Sequence, residues 1–286
     1  GGFDALWSPE DPEGRHYYVH GKDNIPFHTL ILPALLLAHG GGWHLPDRIV
    51  SSEYLTLEGR KISTSKGWAI WAEDLASQFD PDSIRYFLIA NGPEKRDTDF
   101  SFREFVNSHN GELLGAYGNF IHRTLVFVRK YLGGRVPDCG PDEAQLAEAD
   151  GLFETVGRLL EQTCLKEALD AVFALVRSCN RYFDRCRPWE TRTSDPADCE
   201  RVLHTCVQLA ANLAVLLGPF LPFSSAKLRA WLNVAEAWEP ARCPAGLAIP
   251  EPAILFARIE RDQAAAARSR LLPTEETAGT TGVGRD

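Results

Sequence analysis

The sequence contains no methionine among its 286 residues, and it begins with two glycines. We therefore expect a fragment or a processed product from which an N-terminal part is missing. The sequence also has no N-terminal signal pattern, and its most apolar stretches, residues 27–38 and 209–221, are too short for a bilayer or are interrupted by Pro and Gly. These absences predict a cytosolic protein with no membrane-spanning helix.

The sequence also lacks cysteines at the spacings that are typical of redox or zinc motifs. The seven cysteines lie between Cys139 and Cys243, an odd number without a C-x-x-C pair or a Cys/His spacing suited to zinc. We expect structural thiols in a reducing compartment, and we predict no metal site. The net charge of -9 argues against a general nucleic-acid coat, although it allows a local basic site.

The first part of the chain carries a few α/β signals. An aromatic and β-branched segment at 15–21 predicts a strand, and a helix is predicted to begin near Pro26 and to stop at Gly40. Alternation of apolar and polar residues at 49–57 is a weaker strand signal. These elements are too few for a doubly wound sheet, so they predict only the tail of an α/β unit.

The apolar period of the rest of the chain is helical. Asp80 is predicted to be an N-cap, with Pro81 in the first turn and Gly92 as the stop. Residues 100–132 predict a long amphipathic helix that is weakened at Gly111. Long helices joined by short loops predict a bundle. Further helices are predicted at 71–79, 143–162, 164–183, 196–217, 224–232 and 258–272, with loops at 133–141, 187–196 and 217–223 and a disordered tail from Thr274.

A cationic segment rich in hydroxyls lies at residues 57–71. A mobile loop of this composition can place cationic donors against a polyphosphate while charge develops on a departing pyrophosphate. The segment contains three cations and three hydroxyls, namely Arg60, Lys61, Lys66, Ser63, Thr64 and Ser65.

Other interpretations of this region are weaker. Ser63 and Lys66 match the S-x-x-K pattern of penicillin-recognising hydrolases, but the S-D-N and K-T-G elements are absent. Residues 38–44 resemble a lipase oxyanion loop, but the chain has no G-x-S-x-G. Residues 59–66 are not a P-loop, because Ser65 stands where that motif has glycine. An ordinary solvated turn is the remaining alternative.

Residues 61–65, Lys-Ile-Ser-Thr-Ser, resemble the second signature of class I aminoacyl-tRNA synthetases, lysine-x-serine-lysine-serine. Several further segments resemble the methionyl-tRNA synthetases in order and spacing, and the later ones match the anticodon-binding helical domain of that family. The resemblance covers about residues 7–260. The segments that carry it are 17–38, 51–61, 80–106, 110–123, 180–189 and 216–228.

The resemblance implies parts of an active site. His28 would line the methionine side-chain pocket, and Lys22 and Asp23 would lie at the rim, near the aminoacyl-adenylate. The signature loop would close over the phosphates of ATP, which would bind as its Mg²⁺ complex. The implied catalytic residues are Lys61, Ser63, Ser65 and Lys66, and the implied ATP-binding residues are Lys61, Thr64 and Lys66.

Thr64 departs from the family pattern, because the family has the second signature lysine there. Threonine supplies no charge, so either the role passes to Lys66 or activation is weakened. The family's first signature, histidine-x-glycine-histidine, is absent from the sequence, as are the connecting domain and its zinc knuckle. The chain alone is therefore not expected to activate methionine.

Three residues match those that bind the CAU anticodon in this family: Asn119, Arg123 and Trp189. Asn119 and Arg123 are four residues apart, so they share one face of the predicted long helix. An indole can stack on an unstacked base, while an amide and a guanidinium can hydrogen-bond base edges. Trp189 is expected to lie in a loop and to be partly exposed, and its alternative is a core aromatic residue.

The expected fold is an α/β remnant, the C-terminal half of a Rossmann-like class I synthetase catalytic domain, plus an all-α anticodon-binding helix bundle. The expected function is ATP-dependent ligation of L-methionine to its tRNA, by a monomer. A synthetase-like paralogue that activates another amino acid for biosynthesis and a freestanding tRNA-binding module remain alternatives. The expected parts are 1–60 (catalytic remnant), 61–103 (signature loop and stem-contact module), 104–252 (bundle) and 253–286 (C-terminal helix and tail).

Overall fold

The structure is a computed structural model that describes Gly2, Trp7 and residues 14–251 and 253–273. The chain separates into two compact units. The first comprises residues 1–61 and 92–99, and the second comprises 62–91 and 100–286. The four-part division expected from the sequence stays a prediction, and the tail from Thr274 lies outside the described residues.

The first unit contains a parallel pair of strands, β1 (Tyr17–Gly21) and β2 (Arg48–Ser52). Parallel strands require a crossover connection, and a helical segment supplies it here. The segment ends where Gly40 adopts a φ of 76°, as the sequence predicts. It consists of a 3₁₀ turn (Lys22–Asn24), a π-helical turn (Phe27–Ile31) and α1 (Leu32–His39).

The strand predicted at 49–57 is in fact two strands. Its second part belongs to a three-stranded sheet in the order β4-β3-β5. The strand breaks because the N–H of Glu53 donates to the Pro93 carbonyl at 2.8 Å and the N–H of Tyr54 donates to Asp97 at 2.9 Å. The strands of this sheet are β3 (Leu55–Leu57), β4 (Arg60–Lys61) and β5 (Thr98–Phe100).

The second unit begins with the signature turn, residues 63–68 of the signature loop, and two helices, α2 (Ala72–Gln78) and α3 (Pro81–Ala90). The carboxylate of Asp80 caps α3 by accepting two backbone N–H groups at 2.9 and 3.2 Å, as predicted. The helix ends one residue earlier than expected, because Asn91 rather than Gly92 is its C-cap.

The long helix predicted at 100–132 begins two residues later than expected, because residues 98–100 form β5; it is continuous, but its middle is π-helical. It consists of α4 (Phe102–Ser108), a π-helical segment (His109–Gly118) and α5 (Asn119–Tyr131). A Cβ at Gly115 would lie 2.9 Å from the carbonyl oxygen five residues earlier. Glycine therefore permits the wider turn, and the weakness expected at Gly111 extends over ten residues.

A helix bundle completes the second unit. α9 is buried along nearly its whole length and forms the centre of the core. No helix in the described part of the chain is both long and apolar enough to cross a membrane. The remaining helices are α6 (Glu143–Glu161), α7 (Leu165–Cys186), α8 (Pro188–Ser194), α9 (Pro196–Leu216), α10 (Pro222–Leu232) and α11 (Arg261–Leu271).

The prediction of a loop at residues 187–196 is wrong, because α8 occupies most of these residues. Arg187 has a φ of 47°, in the left-handed region, and this turn ends α7. Pro188 then restarts the chain as a helix, since its fixed φ suits a first helical position. The turn reverses the chain and places Trp189 against the end of α7.

The cysteines are all free thiols. Four of them are buried, and burial raises the pKa of the Cys243 thiol to about 12. Thiols held protonated in this way are poor nucleophiles. No group of three or more His, Cys, Asp or Glu side chains within residues 14–251 and 253–273 is arranged to hold a metal ion.

Two polar side chains, the buried Asp82 and the exposed Arg85, attach α3 to the bundle. The carboxylate of Asp82 accepts the backbone N–H of Ser224 at 2.7 Å and that of Phe223 at 3.3 Å. Asp82 thereby caps α10, a helix that follows it by about 140 residues in the sequence. Arg85 donates to two backbone carbonyls, at 2.9 and 2.8 Å, just before α10. These contacts fix the helix that follows the signature turn relative to the bundle.

His109 is a second buried link within this unit. In the neutral ring, Nε2–H donates to the Ala257 carbonyl at 2.8 Å, while Nδ1 accepts from the Ser83 hydroxyl at 2.9 Å. Burial lowers the pKa of this imidazole below its ordinary value, although the carbonyl opposes the shift.

We expect His109 to make the second unit less stable in acid. A histidine whose folded-state pKa is depressed takes up a proton more readily in the unfolded chain, so the free energy of unfolding falls as the pH drops below about 6.5. Urea denaturation should show that the free energy of unfolding falls less between about pH 7.5 and about pH 5.5 for His109→Gln than for the parent. His122→Gln, at an exposed position on α5, is the control, and it should lose as much as the parent.

Candidate functional site

The signature loop is a tight turn in the second unit. Ser63 and Trp68 exchange backbone hydrogen bonds of 2.8 and 2.9 Å, and Gly67 takes the left-handed conformation that closes the turn. Trp68 is buried and anchors it. The tip, residues 64–66, is exposed, and Lys66 makes no ion pair with any residue that the structure describes. The lysine is therefore available to an anionic ligand.

The hydroxyl side chains of the signature loop and its other lysine, Lys61, are also exposed or partly exposed. The hydroxyls of Ser63 and Ser65 lie 3.2 Å apart, so either one can donate to the other. Thr64 is exposed and supplies only a hydroxyl. Lys61 ends β4 in the first unit, and its side chain is exposed.

Lys22 and Asp23 belong to a polar network in the first unit. Lys22 forms ion pairs with Glu53 and with Asp97, the latter at 3.3 Å, and its ammonium lies 4.2 Å from the ring centre of Tyr54. The Tyr54 hydroxyl donates to Asp23 at 2.6 Å. The hydrogen bond to Glu53 is the main cause that raises the pKa of Lys22. The lysine is thus held charged at the end of β1.

His28 lies on the crossover segment and is partly buried. Its ring stacks on that of His20 at 4.6 Å and lies 5.5 Å from the ring of Tyr18. The Nδ1 atom of His28 is buried and has no hydrogen-bond partner in the described part of the chain. Buried polar atoms are normally paired, so this nitrogen lacks the partner that such an atom usually has.

Arg123 and Trp189 come together on one surface of the bundle. The guanidinium of Arg123 lies 4.4 Å from the ring centre of Phe183 and 5.9 Å from that of Trp189. The two rings are 6.1 Å apart. Asp184 accepts a hydrogen bond from Arg123 at 2.8 Å and orients it. Asn119 is exposed one helical turn before Arg123, on the same face of α5.

Trp189 is 41% exposed, so the expected partial exposure is confirmed, whereas its place in a loop is wrong. It lies in the first turn of α8. An indole that packs against Phe183 and keeps part of its surface exposed is preorganised for stacking.

Both parts of the chain match known protein families. Residues 2–125 match the family model for class I tRNA synthetases (M), and residues 135–276 match the anticodon binding domain of methionyl tRNA ligase. Methionine–tRNA ligase 1 of Bacillus cereus is 55% identical over 231 residues, which are 80% of this chain and 42% of that protein. The chain belongs to the methionyl-tRNA synthetase family.

Further relatives support the same placement. A methionine–tRNA ligase of Bacillus anthracis is 52% identical over 255 residues, which are 88% of this chain and 46% of that protein. The Mycobacterium tuberculosis methionyl-tRNA synthetase bound by methionyl-adenylate has a TM-score of 0.78 and 31% identity, over 85% of this chain and 50% of that one. The chain thus spans about half the length of the synthetases it matches. An α/β remnant followed by a helical anticodon-binding domain is confirmed as the fold.

Several residues of these sites were not identified from the sequence. Asp184 and Phe183 position Arg123, and Glu53, Tyr54 and Asp97 hold the residues at the end of β1. Asp184 and Phe183 lie in a segment that resembles the family, five and six residues before Trp189. One helical turn and the turn at Arg187 are enough to bring these residues together, but only the structure shows that turn.

Proposed function

We propose that this chain carries the C-terminal part of a methionine–tRNA ligase, and that its second unit binds the CAU anticodon of the methionine tRNA. The observation that carries the proposal is the Arg123–Trp189 arrangement. A guanidinium fixed by Asp184 and an exposed indole supported by Phe183 offer a hydrogen-bond donor and a stacking surface side by side. Asn119 adds an amide on the same face.

In the complete ligase, the first unit and the signature turn would serve methionine activation. His28 would contact the methionine side chain, and Lys22 and Asp23 would lie near the adenylate. Lys61 and Lys66, with Ser63, would stabilise charge on the pyrophosphate of ATP, which would be used as its Mg²⁺ complex. A cytosolic location and a monomeric state are parts of the same proposal.

Binding of RNA tests the anticodon assignment. A labelled anticodon stem-loop with CAU in its loop should bind the chain in a salt-dependent way, because lysines and arginines displace counterions from phosphates. A stem-loop that differs only in the anticodon should bind roughly tenfold or more weakly. Equal binding of the two RNAs in a fluorescence anisotropy titration would contradict the assignment.

We expect Lys66 to carry the charge that Thr64 lacks. The test is a chimera in which residues 14–273 replace the matching region of the Bacillus cereus ligase. Lys66→Ala should lower methionine-dependent pyrophosphate exchange roughly 100-fold, since one preorganised charge at a developing anion is lost. The control Thr64→Ala should change exchange by less than about threefold. Full exchange by Lys66→Ala would remove Lys66 from the proposed site.

A further inference from the structure

A row of aromatic rings leads away from Trp189. The ring centres of Trp189 and Phe183 are 6.1 Å apart, and those of Phe183 and Phe127 are 6.3 Å apart. Phe127 contacts Tyr131 at 4.6 Å. The two ends of the row, Trp189 and Tyr131, are 41% and 39% exposed. The row therefore has a second solvent-facing ring at the far end of α5.

Tyr131 is surrounded by cations. The guanidinium of Arg192, on α8, lies 4.4 Å from its ring centre, and the ammonium of Lys130 lies 5.1 Å from it. Both cations are exposed, and neither forms an ion pair with a residue in the described part of the chain. The acidic residue nearest in sequence on α8, Glu190, is paired with Arg187 at 3.3 Å. Two unneutralised charges thus flank one aromatic ring on a chain whose net charge is -9.

The position of this group fits RNA outside the anticodon. Tyr131 follows Arg123 by eight residues on the same helix, which corresponds to roughly 12 Å along its axis. Nucleotides that neighbour a base bound at Arg123 and Trp189 can therefore reach Tyr131. A planar guanidinium held over a ring keeps its N–H groups in its own plane, where phosphate oxygens can accept them.

We propose that Tyr131, Lys130 and Arg192, the flanking cluster, bind the phosphate backbone of nucleotides next to the anticodon. The inference rests on the proposed function of the second unit. In this cluster Arg192 and Lys130 contact the phosphates, and Tyr131 is a positioning residue that orients Arg192. Because phosphate contacts carry no sequence information, the cluster adds affinity but no preference for CAU.

The test uses the full chain with two stem-loops, one with CAU and one with an altered anticodon. Arg192→Gln should weaken the binding of both RNAs by the same factor, roughly tenfold, and should lower the slope of log K against log salt by about one unit. Arg158→Gln, which removes the same charge from an exposed position on α6, should leave affinity and slope unchanged. Tyr131→Leu should reproduce part of the loss, whereas Tyr131→Phe should not.

The outcomes are distinguishable. If Arg192→Gln binds both RNAs with the parent's affinity and salt slope, the flanking cluster is not an RNA contact. If Arg192→Gln instead removes the preference for CAU, the cluster is a base contact and the phosphate assignment is overturned. If the parent binds both RNAs equally, only the anticodon assignment is overturned. The effect of Arg192→Gln on either RNA still shows whether the flanking cluster contacts RNA. Absence of RNA binding by the parent would overturn both proposals.

Discussion

Trp189→Ala should weaken binding of the CAU stem-loop roughly 30-fold, because one base loses its aromatic stacking partner. Trp189 is 41% exposed and packs against the ring of Phe183, so part of its surface is free for a base. The loss should be measured by fluorescence anisotropy at constant salt, since affinity for RNA changes steeply with salt. Thermal unfolding should change little, because the residue is partly exposed.

Trp71→Ala is the matched control for this variant. Trp71 is also a tryptophan of the second unit and is 59% exposed, but it lies before α2, outside the bundle. Its replacement should leave binding of the stem-loop unchanged. A Trp189→Ala variant that binds as tightly as Trp71→Ala would show that the indole does not contact the loop.

Asp82→Ala should lower the free energy of unfolding of the second unit by about 3 kcal/mol. The substitution removes the contact that joins α3 to α10, and it leaves two backbone N–H groups without their acceptor. These are the N–H of Phe223 and the N–H of Ser224, which lie 3.3 and 2.7 Å from the carboxylate in the parent. Urea denaturation monitored by circular dichroism measures the change.

Two further variants isolate the cause. Asp82→Asn should cost less than Asp82→Ala, because burial raises the pKa of the carboxyl and the one amide oxygen can still accept one of the two N–H groups. Asp80→Ala removes a cap within α3 alone and should cost about 1 kcal/mol. If Asp82→Ala cost no more than Asp80→Ala, the link between α3 and α10 would not contribute to stability as described.

The elements that follow from local chemistry could be predicted from the sequence. Asp80 and Pro81 define the start of α3, and Gly40 ends α1, because capping and left-handed stops depend on one or two residues. The apolar period likewise predicted the bundle helices, and the resemblance to the synthetases indicated the residues that were later found on one surface of it.

α8 could not be predicted in this way. A seven-residue helix is marginal by itself, so its stability depends on packing against the end of α7. The left-handed Arg187 that makes this packing possible is not a glycine, and non-glycine residues seldom adopt that conformation. Arg192, on the same helix, lies over Tyr131, so the flanking cluster could not be predicted from the sequence either.

Contacts between residues that are far apart in the sequence could not be predicted from it either. Asp82 has the pattern of an ordinary first-turn acid, but its partners lie 141 and 142 residues away. Lys22 pairs with Asp97, which is 75 residues away. Such pairs depend on how elements pack, and neither periodicity nor capping rules contain that information.

The most direct test of the central claim is a cycle that combines protein and RNA substitutions. Asn119→Ala, Arg123→Gln and Trp189→Ala are each titrated with the CAU stem-loop and with stem-loops changed at one anticodon base. We predict that Asn119→Ala and Arg123→Gln each lose discrimination at one anticodon position, so that the effect of each and that of the matching base change are not additive. Trp189→Ala, which removes only stacking, should weaken the binding of all these RNAs by a similar factor. Additive effects at all three positions would contradict the claim that these residues contact the anticodon.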